Sequence, residues 1–217
     1  MARQVILFDL DGTLTDSKEG ILRCVEYALI QCAQPVPEKA QLELFLGPPL
    51  YDSFQQICGM APTEAEEAVR LYRERFSKIG LFENEVYPGI PELLIHLRDA
   101  GKILAVATSK PEVYARRILE HFDLLPYFTA LAGCDLHREG ETKADMIALC
   151  LQRLGNPSPE VTVMVGDRKH DIEGARANHL PTVGVQYGYA PPGELEAYGA
   201  QWIVQDVASL EALLLQM

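Results

Sequence analysis

Val5-Ile6-Leu7-Phe8-Asp9-Leu10-Asp11-Gly12-Thr13-Leu14-Thr15 decides how the rest of the chain is read. Four apolar residues with a β-branched start read as a strand buried in a parallel sheet, ending on two carboxylates one residue apart. Side chains alternate along an extended chain, so Asp9 and Asp11 leave the strand on one face. Carboxylates at the end of a buried strand are costly unless a cation or hydrogen-bond donors hold them. Gly12 lets the chain turn, and the backbone N–H groups of Gly12 and Thr13 can meet an anion. The chemistry implied is a metal beside a phosphate with one aspartate as nucleophile. The plainer alternative is a strand end carrying two solvated acids before a glycine turn.

The segments outward from this strand change character twice. Ile21, Leu22, Val25, Ala28, Leu29 and Cys32 recur at helical spacing until Pro35 and Pro37, and Leu50, Phe54 and Ile57 mark a short second helix. Thr63 with Glu66 is a capping-box pattern leading a face of Ala65, Val69, Tyr72, Phe76 and Ile79. Residues 15–84 therefore read as an inserted all-helical cap, too long for a strand-to-helix loop. Residues 1–14 and 85–217 read as the core. After Pro88-Gly89, Leu93, Leu94 and Leu97 form a helix ended by Gly101, followed by the strand Ile103–Ala107 and a helix from Glu112 to His121. A short strand near Ala130–Ala132, a helix through Met146 and Leu154, and the strong strand Val161–Val165 come next. Thr182–Val185 and Trp202–Val204 complete five or six strands, with a last helix over Leu210–Leu215. Strands alternating with helices predict an α/β fold with a doubly wound parallel sheet.

Such sheets bind ligands beyond the carboxyl ends of their strands. The first strand ends on Asp9 and Asp11, the second on Thr108-Ser109-Lys110, and the strong strand on Gly166-Asp167, with Asp171 four residues later. Lys143 precedes the Met146 helix. Each has a bland alternative: Thr108 and Asp171 as N-caps, Lys143 as a solvated helix-start lysine with Lys110 its competitor, and His170 as exposed loop. Arg70, Arg73, Arg75 and Lys78 read as the solvated side of the cap helix.

Size and composition narrow the classes. With 217 residues and 48% hydrophobic content, the chain supports a core domain carrying a smaller one. Five cysteines (Cys24, Cys32, Cys58, Cys134, Cys150) without a Cys-x-x-Cys pair read as buried thiols in a reducing compartment rather than a disulfide frame or zinc site. The start resembles no signal peptide, and no run of 18 apolar residues occurs, so a cytoplasmic protein without a membrane partner is expected. A net charge of −12 argues against a nucleic-acid polymer as partner, since that affinity rests on surface lysine and arginine. A small phosphorylated metabolite remains compatible, and no motif fixes an oligomeric state.

Taken in order, Asp9-Leu10-Asp11-Gly12-Thr13, Thr108 after an apolar strand, Lys143, and Gly166-Asp167 with Asp171 resemble the four motifs of the haloacid dehalogenase superfamily of phosphohydrolases. The insertion after the first motif is similar to the helical cap of its phosphoglycolate phosphatase and 5′-nucleotidase-like branch. The runs Thr142-Lys143-Ala144-Asp145-Met146 and Gly166-Asp167-Arg168-Lys169-His170-Asp171 are similar to the 5′-nucleotidase-like members. The resemblance implies Mg²⁺ as cofactor, bound by Asp9, Asp167 and the backbone carbonyl of Asp11. It implies Asp9 as nucleophile, Asp11 as acid and base, and Thr108, the Ser109 N–H and Lys143 on the phosphoryl oxygens. Asp171 then orients Lys143 or metal-bound water. Competing readings are a phosphoglucomutase-like transferase, a phospho-accepting receiver domain and a catalytically dead homologue. The receiver lacks a helical insertion and is much shorter, and a haloacid dehalogenase proper lacks the second aspartate.

Overall fold

The computed structural model describes residues 4–136, 138 and 140–217. The Met1-Ala2-Arg3 start, where no leader is expected, lies outside them. The stretches ending at Asp16 and beginning at Val86 form one compact unit, and Ser17–Glu85 forms a second.

The first unit is built on six strands: β1 (Val5–Phe8), β2 (Ile103–Pro111), β3 (Ala130–Cys134), β4 (Thr162–Gly166), β5 (Thr182–Val185) and β6 (Trp202–Val204). They form one sheet in the order β3-β2-β1-β4-β5-β6, every neighbouring pair parallel. Phe8 lies opposite Val106 on one side and Val165 on the other. β1 and β4 are buried along their whole length, because a central parallel strand is covered on both faces and so reads as a continuous apolar run. Successive connections run one way from β1 and the other way from β4. The strand order thus reverses between these two, which opens the crevice where Asp9 and Asp167 emerge.

The second unit is helical: α1 (Lys18–Gln31), α2 (Lys39–Leu42), α3 (Leu50–Cys58) and α4 (Pro62–Phe76). Its core gathers Cys24, Val25, Ala28 and Leu29 of α1, Phe54 of α3, and Ala65, Ala68, Tyr72 and Phe76 of α4. Phe45 and Phe54 meet edge to face at 5.1 Å, and Tyr72 stacks on Phe76 at 5.3 Å. The remaining helices belong to the first unit: α5 (Ile90–Asp99), α6 (Glu112–His121), α7 (Lys143–Arg153), α8 (Lys169–Ala177), α9 (Glu194–Tyr198) and α10 (Val207–Gln216). One face of the sheet buries Val5, Leu7, Ala105, Ala107 and Met164 against Ile147 and Cys150 of α7 and Ala175 of α8. No helix among the described residues is long and apolar enough to cross a membrane; the five cysteines are free thiols, but only Cys24 and Cys150 are buried, Cys32, Cys58 and Cys134 being partly exposed.

Several local expectations are corrected. Helix α4 starts at Pro62, and its cap is the Ala61 N–H donating to Glu64 Oε2 at 2.8 Å, not a Thr63–Glu66 box. Proline's fixed φ suits a first helical position and its missing N–H costs nothing there, so the helix begins before Thr63 can cap it. Because α4 stops at Phe76, the helical period no longer reaches Ile79, which is 52% exposed. Arg75 is not on a solvated face. Its guanidinium holds Glu83 through two bonds of 2.6 and 2.9 Å and donates to Cys24 Sγ. His170 lies in the first turn of α8, half-buried, rather than in an exposed loop.

Gly20 in α1 permits a close backbone approach inside the helical unit. Its N–H donates to Glu83 O at 3.0 Å, and a Cβ there would stand 2.2 Å from Gly80 O. Gly59, the left-handed C-cap of α3, faces open space. Gly20→Ala is therefore expected to lose about 1–3 kcal/mol by overpacking against a carbonyl, while Gly59→Asn stays within about 1 kcal/mol. Urea denaturation followed by circular dichroism checks both, and wild-type stability in Gly20→Ala contradicts the packing described.

Candidate active site

The site grows from the carboxyl end of β1. The Asp9 N–H donates to Val165 O at 2.9 Å, which ties the end of β1 to β4 and holds Asp9 beside Asp167. Past Asp11 the chain turns on Gly12, whose φ of +81° favours glycine. The Leu10 carbonyl accepts from the N–H groups of Thr13, Leu14 and Thr15, and the Gly12 N–H donates to Thr15 O at 2.8 Å. This corrects the expectation for Gly12 and Thr13. Their N–H groups close the turn itself instead of facing an anion, and the buried Thr13 hydroxyl donates to Asp167 Oδ1 at 3.3 Å. Gly12 serves a different purpose: a Cβ there would lie 2.2 Å from Asp167 Oδ2.

Lys143 is the bridging cation. The capping box of α7 places it, with the Thr142 N–H on Asp145 Oδ2 at 2.8 Å and the Asp145 N–H on Thr142 Oγ1 at 3.3 Å. Its ammonium lies 2.5 Å from Asp9 Oδ1 and 2.8 Å from Asp171 Oδ1, with the side chain only 5% exposed. Asp171 is not an N-cap. It is the third residue of α8, and its Oδ2 accepts the Arg168 N–H at 3.0 Å. Gly166 makes room for it, since a Cβ at that position would lie 2.2 Å from Asp171 Cγ. Asp167 is fully buried, and its Oδ2 accepts the Tyr189 N–H at 2.7 Å.

Oxygens of Asp9, Asp167 and Asp171 all come within 4.8 Å of one another. Three carboxylates against one ammonium leave an excess of buried negative charge, and the ionisation behaviour follows. Burial raises the Asp9 carboxyl to about 6; Lys143 opposes this, while Asp171 and Asp11 add to it. Burial likewise holds Asp167 well above the ordinary range, helped by repulsion from Asp171 and Asp9. For Lys143, burial alone would lower the value, but Asp171 and Asp9 together hold it above that of a free lysine. An oxygen-only donor set with surplus charge fits a hard divalent cation such as Mg²⁺. Asp171 pairs with the Lys143 ammonium and the Arg168 N–H, whereas Asp167 accepts from the Thr13 hydroxyl and the Tyr189 N–H, so Asp9, Asp167 and Asp171 all stand as candidate side-chain ligands.

Thr108 and Ser109 stand at the carboxyl end of β2, next to Asp9 by the register that sets Phe8 opposite Val106. Thr108 does not cap α6, whose N-cap is Pro111; its buried hydroxyl accepts the Lys110 N–H at 3.2 Å. β2 thus continues past the expected end at Ala107, with a register shift between Ala107 and Pro111. Lys110 does not compete for the place of Lys143, because its ammonium pairs instead with Asp11 Oδ2 at 2.9 Å.

Sequence reading missed the loop after β5. Tyr187 donates its hydroxyl to Thr13 O and Tyr189 donates to Asp16 Oδ1, both at 2.9 Å, while Tyr87 meets the Tyr187 ring edge to face at 4.9 Å. Gly188 between the two tyrosines sits against Asp167, where a Cβ would be 2.3 Å from the Asp167 Cβ. The available signal was the Tyr187-Gly188-Tyr189 run directly beyond a strand end.

The chain is 45% identical to a 5′-nucleotidase of Pseudomonas aeruginosa over 209 residues, covering 96% of this chain and 94% of that one. It is 44% identical over 186 residues to the tyrosine-protein kinase PtkA of Mycobacterium tuberculosis, covering 86% of this chain but 63% of that one. The crystal structure of a predicted phosphatase from Clostridium acetobutylicum superposes with a TM-score of 0.94 at 42% identity, with full coverage of both chains. Residues 6–185 match the family model described as haloacid dehalogenase-like hydrolase, and with its motif residues gathered at the strand ends, the chain belongs to that family.

Proposed function

We propose that this chain is a Mg²⁺-dependent phosphomonoesterase that works through an aspartyl-phosphate on Asp9. Its substrate is a small phosphorylated metabolite of the phosphoglycolate or nucleoside 5′-monophosphate type. The observation that carries the reading is the Lys143 ammonium held between Asp9 and Asp171 beside the fully buried Asp167. A nucleophilic carboxylate, a fixed cation and surplus buried charge together suit attack on an anionic phosphorus centre. The relatives named as a 5′-nucleotidase and a predicted phosphatase support it.

In the first half-reaction an Asp9 oxygen attacks phosphorus in line. The ester P–O bond breaks, its electron pair goes to the leaving oxygen, and that oxygen takes the proton of the Asp11 carboxyl to depart as an alcohol. In the second, Asp11, now a carboxylate, takes a proton from water as the water oxygen attacks phosphorus. The P–O bond to Asp9 then breaks, restoring the carboxylate and releasing phosphate. Lys143 fixes the attacking carboxylate and meets charge on the phosphoryl oxygens, joined by the Thr108 hydroxyl and the Ser109 N–H. Mg²⁺, held by Asp9, Asp167 and, following the family resemblance, the Asp11 backbone carbonyl, supplies the positive charge that lets a carboxylate approach a phosphate dianion. Asp171 keeps Lys143 in place.

Phosphate release from phosphoglycolate, nucleoside 5′-monophosphates and sugar phosphates, each with Mg²⁺ and with EDTA, tests the reading. Asp9→Asn is expected to fall to background with the fold intact, and Asp11→Asn to lose about 10²–10⁴-fold. Turnover that persists in Asp9→Asn, with contamination excluded, removes the nucleophile assignment. Because one relative is named a tyrosine-protein kinase, transfer to a hydroxyl acceptor is a second reading. Label arriving on an acceptor such as a sugar or tyrosine hydroxyl in place of free phosphate identifies it.

The raised carboxyls predict a pH signature without turnover. An aspartate whose folded value lies above its unfolded one contributes stability that is complete below about 3.8 and is lost as pH rises through about 6. Metal-free protein is therefore expected to lose this stability between about pH 4 and pH 6. Mg²⁺ competes with the protons on Asp9 and Asp167, so its thermal stabilisation is expected to be larger at pH 7 than at pH 5. Equal Mg²⁺-induced shifts of Tm at both pH values in differential scanning fluorimetry contradict metal binding at these carboxylates.

A further inference from the structure

We propose that Lys110 is the positioning residue for Asp11, fixing the carboxyl that exchanges protons with the leaving group and with water; this rests on the aspartyl-phosphate reading above. The two lysines of the site divide the two aspartates of the first motif between them. Lys143 serves Asp9 and Asp171, while the Lys110 ammonium lies 2.9 Å from Asp11 Oδ2. The Lys110 side chain is 6% exposed and that of Asp11 21%. A lysine buried to this degree is costly without a counter-charge, so the pair is held where it stands and is not a surface contact that comes and goes.

The backbone delivers Lys110 to this place by two specific contacts. Its N–H donates to Thr108 Oγ1 at 3.2 Å, within the segment where β2 shifts register against β3. On β3, Gly133 lets that segment come close, since a Cβ there would stand 2.6 Å from Lys110 O and 2.8 Å from Glu112 N. The partner carboxylate shows the complementary feature. With Oδ2 occupied by Lys110, Asp11 Oδ1 is buried and has no hydrogen-bond partner among the described residues. A carboxyl pinned at one oxygen can rotate little, and the other oxygen is left to give and take the proton. Lys110 thereby acts through Asp11 and not on phosphorus.

The test separates orientation of the proton donor from binding of the phosphoryl group. An alkyl phosphate that the wild type hydrolyses needs its leaving oxygen protonated, whereas p-nitrophenolate departs without a proton. For Lys110→Met we expect kcat/KM on the alkyl phosphate to fall about ten- to a hundredfold and on p-nitrophenyl phosphate by less than about threefold. Adding Lys110→Met to Asp11→Asn is expected to cause no further loss on the alkyl phosphate. Lys110→Gln, which keeps a neutral donor of similar length, is run in parallel so that a folding defect in one variant does not decide the matter. Equal losses on both substrates, or a further loss in the Asp11→Asn background, overturn the positioning role. Phosphate release that survives Asp9→Asn overturns the underlying reading, and that result is visible before any Lys110 variant is compared.

Discussion

Three carboxylates from two strand ends and one helix are buried around a single ammonium, and this charge imbalance organises the molecule. Burying an ion costs several kcal/mol after relaxation, so Asp9, Asp167 and Asp171 are tolerable only where the fold supplies compensation. It does so piece by piece: the Tyr189 N–H and Thr13 hydroxyl on Asp167, the Arg168 N–H on Asp171, and Lys143 between Asp171 and Asp9. Space is reserved in the same way. Gly12, Gly166 and Gly188 each stand where a single methyl group would collide with one of these aspartates. The glycines of the site are therefore there for close approach as much as for turning.

The scaffold around the charge cluster is rigid for a different reason. β1 is paired on both edges and buried on both faces, so its carboxyl end is among the most constrained points in the chain. The loop after β5 adds a second layer, with Tyr187 on the Thr13 carbonyl and Tyr189 on Asp16. These bonds tie the turn of the first motif to the loop after β5.

Much of this was legible in the sequence because the relevant signals are local and strong. Val5–Phe8 and Val161–Val165 are apolar without interruption, as only doubly covered parallel strands are, and the polar groups after them announce a site. What stayed hidden depends on through-space geometry. Nothing in the order of residues says that the Gly12 and Thr13 N–H groups turn inward to close their own loop. Nor could spacing alone choose between Lys110 and Lys143, which differ only in which aspartate the folded chain sets in front of them. Proline at the start of α4 moved a cap by competing with it, an effect that pattern matching on Thr63 and Glu66 does not see. Tyr187 and Tyr189 lacked any chemistry of their own to draw attention, since their contribution is to carbonyl and carboxylate groups supplied from elsewhere.

The register of β1 also shapes how the protein must be made. Val5 pairs with Ile103 on one edge and Thr162 on the other, so the first strand of the sheet to be synthesised waits for partners that lie far along the chain. Until β2 and β4 emerge from the ribosome, its edges lack their partners. Long-range parallel pairing of this kind is slow to form and exposes the nascent chain to association with others in the interval. The helical unit, whose contacts are nearer in sequence, is complete long before β4 is made. Assembly of the sheet around a waiting first strand, more than the chemistry that strand later carries, then sets how readily the cell obtains the folded enzyme.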